Sequence, residues 1–404
     1  MPNSLPSTTA EPTSPWPLIH WTEGDQACSA RWRSERGAPP PKRVVLADDT
    51  TTADTAYRLA CEGTALLWRG DFHNARQLLQ ALARRAEQVP TRKRKKAGQD
   101  ISVSDAFHLH RLAQSQRARM LGMLLVPFNA DYSVPLRRAP DVKDACAQAW
   151  GPADGAAATS VASLRELMGI TSAQEWRRVG VEIAALGEAP NNRIHPHYGV
   201  FSPVRGEYIQ LVATAHLPKP PTGQATITAF DIGTGTGVLS AVLAHRGVQR
   251  IVATDQDPRA LACARDNLKR LGLTDRVQVV QTDLFPEGKA SLIVCNPPWI
   301  PARPSSPIER AVYDEGGRML AGFLHGLTTH LAPKGEGWLI LSNLAEHLGL
   351  RTREALLAAF EQHGLRVVAR IDAKPLHPKT TDEGDALFQA RSREVTSLWR
   401  LAAL

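Results

Sequence analysis

The chain has 404 residues, 43% of them hydrophobic and 22% charged, with a formal net charge of +8. That composition excludes a fibrous, low-complexity or membrane-embedded chain, and the length allows two domains. The positive balance fits an anionic partner such as RNA or a ribosome, and equally fits a generally basic soluble protein.

Residues 1–15 are rich in Pro, Ser and Thr and are predicted to form a disordered tail without the apolar core of a secretory signal. Residues 16–190 read as a mainly helical domain. Phe72, Ala75, Leu78, Leu79 and Leu82 recur at helical spacing, and Leu109, Leu112, Met120, Leu121 and Leu124 do so less regularly. Ser172-Ala173-Gln174-Glu175 has the form of a capping box, with Trp176, Val179, Ile183 and Leu186 on one face and Gly187 as the stop. The longest apolar stretch, Met120 to Phe128, is too short to cross a bilayer. Five consecutive basic residues, Arg92-Lys93-Arg94-Lys95-Lys96, make either an RNA-contacting loop or a solvated one.

Five cysteines (Cys28, Cys61, Cys146, Cys263 and Cys295) show no C-x-x-C pair, as expected of reduced thiols in a cytoplasmic protein. Ala189-Pro190-Asn191-Asn192 has turn chemistry and marks the expected boundary, with a second domain over 191–404. His195 and His197 lack a third ligand, so they are placed at the domain junction and no metal is expected.

The second half alternates strands and helices. Strands are predicted near 226–232, 250–254, 276–280, 291–295, 336–342, 365–371 and 393–401, with a helix from Asp257-Pro258 to Leu271. This is the rhythm of an α/β fold, a doubly wound and mostly parallel seven-stranded sheet, whose ligand lies outside the carboxyl ends of the strands. The polar loop from Lys374 to Arg393, with His377, Lys379 and Asp385, is either functional or a flexible excursion.

Four strand tips carry chemistry. Asp231-Ile232-Gly233-Thr234-Gly235-Thr236-Gly237 joins a strand to a helix through alternating glycines, which let backbone approach a ligand closely. Its spacing is not G-x-G-x-x-G, and no phosphate-cradling lysine follows. Asp231 suits a ligand with an ammonium group rather than a pyrophosphate. Asp255 ends the next strand, where a carboxylate can hold both hydroxyls of a ribose. Asp283, in Gln281-Thr282-Asp283-Leu284-Phe285, can accept from an adenine amine. Asn296-Pro297-Pro298-Trp299 follows the apolar run Leu292-Ile293-Val294-Cys295. There the Asn296 side chain and the Pro297 carbonyl present acceptors at fixed angles to an NH2 group, and Trp299 offers a stacking face. Cys295 reads as a small apolar filler.

From about Tyr198 onward the chain resembles the class I S-adenosylmethionine-dependent methyltransferases, in the branch with an Asn-Pro-Pro-aromatic motif. That branch includes glutamine methyltransferases of release factors and ribosomal protein, and several rRNA guanine and tRNA adenine methyltransferases. Tyr198-Gly199-Val200-Phe201-Ser202 is similar to its Gly-Val-Phe-Ser entry, and Asp283-Leu284-Phe285 to the Asp-Leu-Phe of the release-factor enzymes. Glu315-Gly316-Gly317 is similar to their Asp-Gly-Gly stretch and reads as a lid or substrate-side loop. Pro203, Arg205, Glu207 and Tyr208 only partly match their cofactor-walling segment, and Trp299 replaces the usual Tyr or Phe. The resemblance implies a Rossmann-like methyltransferase domain binding S-adenosylmethionine through Asp231, Gly233, Gly235, Gly237, Asp255, Asp283 and Leu284. It implies that Asn296, Pro297 and Trp299 are catalytic and, with Pro298, bind substrate. The expected substrate is a glutamine amide of a release factor or ribosomal protein; the alternative is an exocyclic amine of adenine or guanine in rRNA or tRNA. The helical N-terminal half is expected to recognise that protein or RNA partner.

Overall fold

The computed structural model describes residues 16–87, 101–153, 159–220, 226–304, 307–375, 382–385 and 387–404. The expected tail at 1–15, the basic run at 92–96, His377 and Lys379 lie outside the described residues. The chain divides into two compact units, 1–97 with 115–171, and 98–114 with 172–404. The boundary expected at 190/191 therefore falls inside the second unit.

The first unit is not mainly helical. Its strands are β1 (Leu18–Glu23), β2 (Gln26–Trp32), β3 (Arg43–Ala47), β4 (Thr64–Trp68), β5 (Leu124–Phe128) and β6 (Ser160–Ser163), joined in the order β1-β2-β6-β5-β4-β3. β3, β4 and β5 run parallel, while β6 is antiparallel to β5. Helices α1 (Ala53–Cys61), α2 (Phe72–Glu87), α3 (Val103–Leu121), α4 (Lys143–Trp150) and α5 (Leu164–Val179) fall between or after these strands. α3 and α5 have residues in both units. Every residue of β4 and β5 is buried. A strand covered on both faces loses its polar alternation and reads as a continuous apolar run, so Leu124 was drawn into the helical pattern of α3, which ends at Leu121. Leu109 and Leu112, which share that helical spacing, are exposed.

α2 does bury Phe72, Ala75, Leu78 and Leu82, as its spacing predicts. The capping box at Ser172 is not a helix start. α5 begins at Leu164, where Ser163 Oγ accepts from the Glu166 amide at 3.0 Å. Ser163 and Glu166 form the same Ser-x-x-Glu pattern nine residues earlier. Ile183 and Leu186 lie beyond the helix, in the stretch of β7 (Val181–Glu182) and a 3-10 turn that Gly187 closes with φ +96°; β8 (Arg193–Ile194) pairs with β7.

In the second unit, α6 (Gly206–Thr214) precedes seven strands: β9 (Thr228–Ile232), β10 (Arg250–Asp255), β11 (Val277–Gln281), β12 (Ala290–Cys295), β13 (Leu331–Ser342), β14 (Leu365–Ala373) and β15 (Thr396–Ala403). Helices α7 (Val238–His245), α8 (Pro258–Arg270), α9 (Arg318–His330), α10 (Leu344–His347), α11 (Arg353–Gln362) and α12 (Phe388–Arg391) connect them. α8 starts as its sequence predicts: Asp257 caps it by accepting from the Arg259 amide at 2.9 Å, and Pro258 occupies its first turn.

The sheet order is β11-β10-β9-β12-β13-β15-β14, with only β15 antiparallel to its neighbours. This is the doubly wound Rossmann-like arrangement expected from the sequence. Alternate strand residues serve two cores. Ala229, Leu292 and Val294 pack with α6, α7 and α8, and Phe230, Ile293 and Cys295 pack with α9 and α11. Strand order reverses between β9 and β12, which are direct neighbours with Ile232 opposite Cys295. A crevice opens where neighbouring connections leave for opposite faces, so the residues after Ile232 and Cys295 meet there.

Candidate active site

The glycine turn follows β9 and is held from below. Gly233 and Thr234 both donate their amides to Thr254 O, at 2.9 and 2.8 Å. Asp231 is buried, and its Oδ2 accepts from Thr234 Oγ1 (2.7 Å), Ser240 Oγ (2.6 Å) and the Ser240 amide (3.0 Å). Burial pushes its carboxyl pKa up, against these hydrogen bonds. Asp231 is thus the brace that ties the turn to the start of α7. Gly233 and Gly235 have φ of +72° and +55°, where an L side chain is strained. A Cβ at Gly233 would stand 2.5 Å from the Met319 Cε, whereas one at Gly235 would meet nothing within 4 Å.

Asp255 ends β10, half-buried, beside this turn. Its Oδ2 accepts from the Gly235 amide and its Oδ1 from the Asp257 amide, both at 3.0 Å. Burial raises its pKa and the backbone donors lower it, with burial the larger effect. Each carboxylate oxygen has a further lone pair, so the group can still take hydroxyl donors. Asp283 is exposed past the end of β11. It accepts from the Gln256 side chain and lies 3.6 Å from Arg318 Nη1. Leu284 adopts φ +65°, and its carbonyl accepts from Thr254 Oγ1 at 2.6 Å. Phe285 stacks on His330 with ring centroids 4.4 Å apart. The open space before Gly235, the backbone of the turn and the Asp255 carboxylate fit a ligand offering hydroxyls and an ammonium group.

Asn296 leaves the end of β12 half-buried, with Pro297 buried and Pro298 half-buried behind it. The Trp299 indole Nε1 donates to Asn296 Oδ1 at 2.9 Å. Sequence reasoning assigned Trp299 a stacking face and missed this bond, which fixes which way the amide points. Oδ1 has two lone pairs and retains one for a second donor. The Arg205 guanidinium lies 4.9 Å from the centroid of the Trp299 ring. Arg205 is held by Glu207 at 2.7 Å and by Glu394 at 3.1 Å, and Glu394 also accepts from Ser342 Oγ at 2.7 Å. Glu394 is buried and has no sequence signal beyond preceding the last strand. Tyr208 is buried in the core, and its burial pushes its hydroxyl pKa up. Cys295 is buried with its thiol pKa pushed well up, as befits a filler rather than a nucleophile.

After Trp299 the chain turns back on itself. Ile300 pairs with Tyr313, and the Asp314 amide donates to Ile300 O at 2.9 Å. The Asp314 carboxylate accepts from the amides of Met319 and Leu320, capping α9. Glu315–Gly317 forms a 3-10 turn just before that helix. His195 and His197 have other partners. The His195 amide donates to Asn267 Oδ1 at 2.8 Å, and His197 Nε2 lies 2.9 Å from Asp266. Among the described residues no cluster of His, Cys, Asp and Glu could hold a metal. Asp385 pairs with Arg391 at 2.8 Å.

Residues 191–365 match the family model of the methyltransferase small domain. The match lies wholly within the second unit. The chain is 46% identical over 71 residues to the ribosomal protein L11 methyltransferase of Pelotomaculum thermopropionicum, covering 17% of this chain and 23% of that protein. It is 31% identical over 179 residues to the release factor glutamine methyltransferase of Cereibacter sphaeroides, covering 41% of this chain and 59% of the relative. It is also 31% identical over 156 residues to the tRNA1(Val) (adenine(37)-N6)-methyltransferase of Shewanella loihica, covering 36% and 61%. The chain thus spans less than two thirds of each of these relatives. The matched segment holds both the glycine turn and the Asn296 clamp.

Proposed function

We propose that the methyltransferase domain moves a methyl group from S-adenosylmethionine to a planar nitrogen held by Asn296 and Pro297. The observation that carries this reading is the Asn296 amide oxygen, oriented by Trp299 on the strand next to the glycine turn. S-adenosylmethionine, when bound, supplies an electrophilic methyl. Gly233, Gly235 and Gly237 would pass beneath its methionine part, Asp255 would take its ribose hydroxyls, and Asp283 with Leu284 would border its adenine. Asp231 acts through the turn it braces.

Asn296 Oδ1 and the Pro297 carbonyl would accept the two N–H bonds of the target. This turns the nitrogen lone pair out of conjugation and aims it at the methyl. An amide or aryl amine becomes acidic only as its new bond forms, so orientation and electrostatics replace a strong base. The proton then passes to solvent.

Two substrate classes fit. The sequence ranks a glutamine amide first, and Asp283-Leu284-Phe285 and the release-factor relative still favour it. The sequence ranking rests on that tripeptide, the Asn-Pro-Pro-aromatic clamp and Gly316-Gly317; the first unit, expected to be a helical recognition domain, is a six-stranded sheet with helices. With the helical recognition domain absent from the described residues and a net charge of +8 that suits an anionic partner, we place an exocyclic amine of adenine or guanine in RNA first. Recognition of the partner by the first unit belongs to this proposal. The test is methyl-labelled S-adenosylmethionine with an extract from a host lacking the gene. Label released by nuclease as a methylated nucleoside supports RNA, and label recovered as methylglutamine after protease supports the protein reading. Cofactor binding without any transfer to macromolecules removes both.

A further inference from the structure

The clamp is held by a residue from the other half of the sequence. Residues 98–114 precede β5 in the chain but belong to the second unit. Phe107, on α3, is 1% exposed and packs with Ile300, Leu344, Leu348 and Ala390, with Trp299 against the same cluster. One turn later, Arg111 makes three contacts with the segment that follows the clamp. Its Nη1 donates to Arg303 O at 2.7 Å, its Nη2 pairs with Glu309 at 3.1 Å, and its guanidinium lies 3.9 Å from the centroid of the Tyr313 ring. Tyr313 pairs with Ile300, which is bonded in turn to Val312 and Asp314. Ile300 directly follows Trp299, the donor that orients Asn296.

We propose that Arg111 is a positioning residue of the methyl-transfer site, fixing Trp299 and hence Asn296 through Tyr313 and its pairing with Ile300. The inference rests on the methyl-transfer reading above. A planar guanidinium fits this role because it stacks on a ring and forks to two acceptors, which an ammonium cannot do at once. Two of the three contacts reach the segment on either side of Glu309, so losing them frees both ends of the return from Ile300. Displacement of a clamp by about 1 Å can cost on the order of 100-fold in rate.

The test uses the full-length protein labelled with 5-fluorotryptophan. The Trp299 fluorine signal is assigned by its disappearance in Trp299→Phe. Arg111→Ala should shift or broaden that signal and leave those of Trp338 and Trp399 in place. It should lower single-turnover transfer from labelled S-adenosylmethionine to extract at least tenfold, with S-adenosylhomocysteine affinity held within about threefold. Arg111→Lys, which keeps the charge opposite Glu309, should recover less than half of the lost rate. An unmoved Trp299 signal in Arg111→Ala, or full recovery by Lys, would overturn the proposal and leave only a surface ion pair. If the wild-type protein transfers no label, the methyl-transfer reading fails by itself, and the fluorine comparison still decides whether Arg111 sets the Trp299 position.

Discussion

Replacing Trp299 separates two roles for its ring. The bond from Nε1 to Asn296 Oδ1 is 2.9 Å long and part-buried, and a neutral bond of this kind contributes about 1 kcal/mol net. A flipped amide would set its own NH2 against the indole N–H and leave donors unpaired, adding about 1–3 kcal/mol. The wild-type amide is therefore biased by about 2–4 kcal/mol, on the order of 30- to 1,000-fold, towards presenting its oxygen. In Trp299→Phe the ring stays and both contributions vanish. The amide then samples both orientations, and transfer falls by about twofold from population alone and up to about tenfold with the looser geometry. Asn296→Ala removes the acceptor itself and should cost about 100- to 1,000-fold, by analogy with loss of an oxyanion donor. The assay is single-turnover label transfer at saturating S-adenosylmethionine, below the unfolding temperature of every variant. If Trp299 orients the amide, Phe and Leu at this position give rates within about threefold of each other. If the ring instead stacks the substrate, Phe retains the wild-type rate while Leu loses it, and that pattern refutes the orientation argument.

Asp255→Asn keeps the shape of the carboxylate but not its charge, so it should weaken S-adenosylhomocysteine binding by about 10- to 100-fold in calorimetry; unchanged affinity would remove Asp255 from the cofactor site. Glu394→Ala leaves Arg205 with Glu207 alone beside Trp299. Breaking a buried ion network costs about 3–5 kcal/mol, roughly 6–20 °C in the unfolding temperature of a unit this size, and a shift below about 2 °C would show that the network is solvated. Glu166 accepts from the Glu35 amide at 3.0 Å, and burial raises its carboxyl from 4.5 to about 7. A raised folded pKa makes stability greatest below the unfolded value and diminishes it as pH climbs from 4.5 to 7, by at most about 3 kcal/mol. Glu166→Gln should therefore gain on the wild type in thermal unfolding between pH 5 and pH 8, whereas a constant difference would contradict the burial argument.

The second unit was legible because its strands end in chemistry. β9, β10, β11 and β12 each end at or run directly into polar or glycine-rich residues that a core has no use for, and all seven predicted strands exist with shifted ends. The first unit was misread for a physical reason. β4 and β5 are buried on both faces, so they lack the alternation that marks a strand. Met120 and Leu121 lead into β5 through Gly122 without a polar break. Trp299 is found by its motif, whereas its indole bond to Asn296 is not, because that bond depends on a loop conformation that spacing does not encode.

Three segments with little or no motif signal reach the clamp or the segment that follows it. Phe107 and Arg111 come from before β5, Arg205 and Glu207 from before β9, and Glu394 from before β15. Each acts by long-range packing or a buried charge pair, and neither leaves a periodic trace in sequence. On the methyl-transfer proposal, the motif at 296–299 would set what the site can hold, a planar N–H donor, and the residues around it where that donor sits. Enzymes named for a glutamine amide and for an adenine amine both resemble this chain, and on the methyl-transfer proposal we predict that positions like Arg111 and Glu394, rather than the clamp, discriminate between such substrates. Exchanging the 300–314 segment for that of either relative should then move the preferred substrate while Asn296→Ala abolishes transfer to both, and a chimera with unchanged preference would return specificity to the first unit.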